Sequence, residues 1–121
     1  MLKVLIVDDS PSQVMSICRI VEQAGHKTLV AHSGEQAIEL ANEEKPQLIL
    51  MDIIMPGMNG YQATRRLSKD ERTRDIPVIM VSSRNSETDR AWGIRQGARD
   101  YLTKPVDRHA LLNAISGAIA A

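Results

Sequence analysis

What most constrains this chain is a fivefold alternation of short apolar runs with stretches long enough to be helices. The runs are Val4 to Val7, Thr28 to Val30, Leu48 to Met51, Val78 to Val81 and Tyr101-Leu102. Most are continuously apolar rather than alternating, as expected of central parallel strands covered on both faces. The pattern reads as βα repeated five times, and parallel crossovers of this kind predict an open, doubly wound α/β sheet. Such sheets bind ligands beyond the carboxyl ends of their strands, near a topological switch point. The polar residues just past each run are therefore the candidates for chemistry.

The intervening segments carry helix punctuation. Ser10-Pro11-Ser12-Gln13 offers a cap, a proline suited to the first helical position and a glutamine able to close a capping box. Val14, Ile17, Cys18 and Val21 follow at i, i+3, i+4 and i+7, a stripe that must face the sheet. Gly25 suits the end of that helix, and Ser33-Gly34-Glu35-Gln36 repeats the cap for the second. Asn59 and Asp107 are expected to cap the third and fifth helices. Leu111, Ala114, Ile115 and Ala118 give the last helix its apolar face.

Composition narrows the function. A length of 121 residues with 43% hydrophobic content supports one core and one domain, spanning 1–121, without an output domain. Fifteen basic residues balance fifteen acidic ones, so charge gives no argument for nucleic acid, and Arg65-Arg66 and Arg72-Thr73-Arg74 read as solvated faces. The single Cys18 excludes an internal disulfide and is expected as a core thiol. No signal peptide or membrane-length run is present, so a cytoplasmic location without membrane insertion is expected. His26, His32 and His109 lack ligand spacing and are expected at the surface, while Tyr61 is expected to serve packing. Trp92 on the fourth helix is read either as a partner contact or as partly buried against the fifth strand.

Asp8 and Asp9 follow the first run, Asp52 the third, Ser82 the fourth and Lys104 the fifth. Singly, each has an ordinary reading as a cap, a turn or a loop residue. Together they fall at the same end of four different strands. Three carboxylates converging there repel one another unless a cation compensates, and an all-oxygen set suits a hard ion such as Mg²⁺. A carboxylate can accept a phosphoryl group, and a metal with the Lys104 ammonium would neutralise the charge on the transferring oxygens. Ser82 can donate its hydroxyl to that group.

Four blocks then resemble the signatures of response-regulator receiver domains: Val7 to Ser10, Met51 to Gly60, Pro77 to Ser82 and Gly97 to Pro105. The resemblance spans nearly the whole chain and implies the flavodoxin-like (CheY-like) fold, a five-stranded sheet of order 2-1-3-4-5 with five helices. It implies Asp52 as phosphoacceptor, Asp9 as direct metal ligand, Asp8 in the metal shell, Ile54 as donor of a backbone carbonyl and Lys104 as partner of the phosphoryl group. It also implies a cis Lys104-Pro105 bond. Ser82 and Tyr101 are the implied switch pair: the hydroxyl is drawn to the phosphoryl group, Tyr101 turns inward, and the face of helix four, strand five and helix five is remodelled for an output protein.

Two positions depart from the usual pattern. Ser83 stands where a small Ala or Gly is usual, and bulky Ile54 flanks, with Arg84, the expected approach of the hydrolytic water. Within the family, the phrases Gly60 to Arg65 and Trp92 to Asp107 are similar to PilH-type regulators of type IV pilus chemosensory systems. That likeness implies a CheA-like histidine kinase as phosphodonor and a role in twitching motility. An output switch, a phosphate sink draining a shared kinase and a phosphorylation-independent binding module all fit the same site. The chain is not expected to be an enzyme beyond its own phosphorylation and dephosphorylation. A haloacid-dehalogenase-type phosphatase would need a second Asp two residues after Asp52, where Ile54 stands.

Overall fold

A computed structural model describes residues 1–120. The elements alternate as the sequence predicts: β1 Lys3–Val7, α1 Pro11–Gln23, β2 Lys27–Ala31, α2 Gly34–Glu44, β3 Leu48–Met51, α3 Gly60–Lys69, β4 Val78–Ser82, α4 Glu87–Arg95, β5 Asp100–Thr103 and α5 Arg108–Ala120. All strands are parallel in the order β2-β1-β3-β4-β5, with Val7 paired to Met51 and Ala31, and Ser82 to Thr103.

The continuous apolar runs divide residue by residue between two layers, because successive strand side chains point to opposite faces. Leu5, Val7, Ile49, Met51 and Met80 join Ala37 and Ala41 of α2 and Ala63 and Leu67 of α3 on one face. Val4, Ile6, Leu48, Leu50, Ile79 and Val81 meet Ile17 and Val21 of α1 and Leu111 and Ile115 of α5 on the other. Each such Leu or Ile contributes about 1.5–3 kcal/mol on full burial, so both faces of the sheet are firmly clamped.

The capping expectations divide. Asn59 and Gln62 form a complete capping box on α3, Ser33 Oγ accepts the Gln36 amide at 3.1 Å on α2, and Asp107 accepts the Ala110 amide at 2.9 Å on α5. The box expected at Ser10 is absent. Pro11 does occupy the first turn, but the Ser10 hydroxyl makes no cap and its amide instead donates to Asp8 Oδ1 at 2.9 Å. The site carboxylate has taken the local geometry that the cap would have needed. His26 is another correction: it is half-buried, and its Nδ1 accepts the Leu2 amide at 3.1 Å, tying the chain start to the turn before β2. Cys18 is half-buried against the α1–α5 layer rather than fully enclosed, and burial raises its thiol pKa. Among the described residues, no helix is long and apolar enough to cross a membrane.

Candidate functional site

The sheet brings the predicted residues to one edge. Asp8 and Asp9 follow β1 directly, and the Asp8 amide continues the sheet by donating to Ala31 O at 3.1 Å. Asp52 follows β3 and is anchored in the same way, its amide donating to Val7 O at 2.9 Å. Ser82 ends β4, and the Lys104 amide donates to its carbonyl at 2.8 Å, fixing the loop after β5. The Lys104-Pro105 bond is cis.

Lys104 joins the strands electrostatically. Its ammonium lies 2.8 Å from Asp8 Oδ2 and 3.3 Å from Asp52 Oδ1. Asp8 and Asp52 are buried, at 1% and 7% exposure, while Asp9 is exposed. Oxygens of Asp8, Asp9 and Asp52 lie within 4.8 Å of one another. One ammonium against three carboxylates leaves the cluster short of positive charge. Burial, then repulsion from Asp8, raises the Asp52 pKa, and Lys104 only partly opposes this. An oxygen-only, partly desolvated and under-compensated cluster is the environment that a hard divalent cation fits. Ile54, expected to contribute its carbonyl and to flank the approach of the hydrolytic water with its side chain, is 53% exposed.

Gly60 is a site residue that sequence reasoning passed over. A Cβ there would sit 2.1 Å from Asp52 O and 2.8 Å from Ile53 Cα. The start of α3 therefore lies directly on the backbone that bears Asp52, and the Gly60 amide donates to Ile53 O at 2.9 Å. The glycine that closes the second signature block was visible; the contact that requires it was not.

The switch residues occupy the neighbouring strands. Ser82 is fully buried, and its hydroxyl accepts the Arg84 amide at 3.2 Å. Tyr101 is turned inward, 1% exposed, and donates its hydroxyl to Arg84 O at 2.8 Å. Arg90 covers it from α4, donating to Tyr101 O at 3.0 Å with its guanidinium 5.4 Å from the ring centre. Tyr61 does pack on the core as expected, yet its hydroxyl also donates to Asp89 O at 3.1 Å. Burial, with Tyr101 and Asp89 nearby, pushes the Tyr61 pKa up to about 12, so it remains a donor at neutral pH. Trp92 is 46% exposed on α4.

The family model of the response regulator receiver domain matches residues 4–116. The chain is 52% identical over 120 residues to protein PilH of Pseudomonas aeruginosa, covering 99% of both. Among solved structures it is similar to Vibrio cholerae chemotaxis protein CheY4, at 27% identity and TM-score 0.91 over 98% of each chain. It is also similar to the receiver domain of sensor histidine kinase PA1611 from Pseudomonas aeruginosa PAO1, at 29% identity and TM-score 0.91 over 99% of this chain and 98% of that one. That receiver holds a magnesium ion coordinated in its active-site cleft. A family match across nearly the whole chain, on a five-stranded sheet that gathers Asp8, Asp9, Asp52, Ser82 and Lys104 at one edge, makes this chain a member of the response regulator receiver domain family of two-component systems.

Proposed function

We propose that this receiver takes a phosphoryl group from a histidine kinase onto Asp52 and thereby changes which protein binds its α4–β5–α5 face. The observation that carries the reading is the charge deficit: one ammonium, Lys104, serves three clustered carboxylates. Asp8, Asp9 and Asp52, with the Ile54 main-chain carbonyl, would hold Mg²⁺, which when bound supplies positive charge against the oxygens of the transferring group. An Asp52 carboxylate oxygen forms the new bond to phosphorus as the bond to the donor imidazole nitrogen breaks, and the imidazole leaves with the electron pair. Lys104 has an N–H beyond those given to Asp8 and Asp52 and turns it to a phosphoryl oxygen. Ser82 accepts at its oxygen from Arg84, so its own proton is free for the same task. An open, largely apolar groove lined by Ile17, Ile20, Pro105 and Val106 runs from Lys104 along α1 and offers the donor protein a seat beside the site.

The similarity to PilH along the full length of both chains supports placement in type IV pilus chemosensory signalling, with a CheA-like kinase as donor and twitching motility as output. The domain catalyses nothing beyond its own phosphorylation and dephosphorylation.

Intact mass after incubation with acetyl phosphate tests the principal reading. A gain of one phosphoryl group is expected that requires Mg²⁺, is lost with EDTA and is absent in Asp52→Asn. An adduct retained by Asp52→Asn would place the acceptor elsewhere.

A further inference from the structure

The helix that borders the switch is the one least held by apolar burial. Gly93 is the only buried residue of α4, and no α4 side chain belongs to either core layer. Trp92 and Ile94 are instead 46% and 45% exposed. An element with so little buried surface belongs to the low-stability end of a fold, and its position is set by whatever polar contacts it makes.

One of those contacts is made by the Arg90 guanidinium, which donates to Tyr101 O at 3.0 Å; the others converge on Asp89. Its amide is capped by Ser86 Oγ at 3.0 Å, and its carboxylate accepts the Ser86 hydroxyl at 2.7 Å and pairs with Arg84 at 3.4 Å. The Arg84 pair is exposed and contributes little alone. Tyr61 reaches Asp89 from outside this local cluster, across from α3, donating to the main-chain oxygen at 3.1 Å with Oδ1 at 3.4 Å. The same loop carries Arg84, whose carbonyl receives the Tyr101 hydroxyl and whose amide holds Ser82. A Cβ at Gly93 would lie 3.2 Å from the Tyr101 ring and 2.7 Å from Met80 Sδ, so the α4 backbone rests on that ring. Moving α4 therefore moves the lid over Tyr101.

We propose that Tyr61 is a positioning residue of the switch: its hydroxyl, donated from α3 to Asp89 in the first turn of α4, holds α4 and the preceding loop in the arrangement that keeps Tyr101 inward. Tyr61→Phe removes the clasp while keeping the ring that packs on the core. Its effect on Tyr101 is independent of phosphorylation; its effect on signalling rests on the phosphoacceptor reading of Asp52.

The chain has two tyrosines, so Tyr61→Phe leaves Tyr101 as the only one. Labelled with 3-fluorotyrosine, wild type is expected to show a Tyr101 fluorine resonance protected from a soluble paramagnetic agent, and Tyr61→Phe an accessible one. Amide exchange across residues 83–92 is expected to accelerate in parallel. A Tyr101 signal that stays protected in Tyr61→Phe, with unchanged exchange, overturns the proposal. Binding of beryllofluoride with Mg²⁺, followed by Trp92 emission, is expected to weaken about fivefold in the variant, the equivalent of one neutral hydrogen bond. Equal affinity in the two proteins would deny the coupling to the site. Failure of wild type to bind beryllofluoride would instead remove the Asp52 reading, and the fluorine signal would still decide the clasp.

Discussion

Replacing Lys104 by Met tests how the acidic site is held together without a metal. Met keeps most of the aliphatic stem and removes the ammonium, which lies 2.8 Å from Asp8 Oδ2 and 3.3 Å from Asp52 Oδ1. At an effective dielectric of about 20, these separations correspond to gross attractions of roughly 6 and 5 kcal/mol, most of which offsets the desolvation of the charges. Removing one partner of a buried pair costs about 3–5 kcal/mol, because uncompensated charge stays behind. Lys104 retains 13% side-chain exposure, so the lower end, about 3 kcal/mol, applies. For a domain of this size that corresponds to a melting point lower by about 10 °C. Thermal unfolding at pH 7 in EDTA gives the number. The loss must shrink as pH falls and the carboxylates take up protons, and it must shrink in an Asp52→Asn background, where one charge has gone. A neutral effect of Lys104→Met in EDTA at pH 7 would refute the idea that this ammonium compensates the cluster.

Asp52→Asn is expected to melt higher than wild type at pH 7 in EDTA. The raised Asp52 pKa means that the native state binds this proton more tightly than the unfolded chain, so wild-type stability falls as pH rises from the ordinary carboxylate range through the raised value. The two melting curves should converge below that range. Adding Mg²⁺ should stabilise wild type in proportion to the logarithm of its concentration and leave Asp52→Asn less affected, as a titration by calorimetry would show. Gly60→Ala should destabilise by about 3 kcal/mol and slow phosphorylation from acetyl phosphate at least about tenfold, because its Cβ would displace the Asp52 carbonyl. Ile54→Asn should shorten the phosphoryl lifetime about fivefold by giving the attacking water a polar neighbour, with phosphate release as the assay.

The fold was legible because its strands are buried on both faces. Leu48 to Met51 and Val78 to Val81 had to be apolar throughout, so they stood out as continuous runs, and capping at Ser33, Asn59 and Asp107 marked the helices between them. The site was legible for a related reason: parallel strands end together, so residues placed just after each run must meet at one edge. Ser10 shows the limit of local signals. Its sequence is that of a capped helix start, but Asp8, two residues earlier, takes the amide into the site's own geometry. His26 shows another, since only tertiary structure brings Leu2 to its ring nitrogen.

The contacts around α4 were least legible, and the reason is physical. Its sequence, Glu87 to Arg95, has no apolar stripe because there is no core for it to enter; Gly93 meets the sheet through the absence of a side chain, and Arg90 through a hydrogen bond to Tyr101 O. Periodicity detects helices that are fixed by burial. A helix fixed by hydroxyls and carbonyls across 28 residues of chain, as Tyr61 fixes Asp89, leaves no periodic trace. The same property suits the helix to its place beside the switch. Shifting an apolar interface would expose buried surface at about 25 cal/mol for each Å². Exchanging a few hydrogen bonds with water costs about 1 kcal/mol apiece, within reach of what one phosphoryl group can supply.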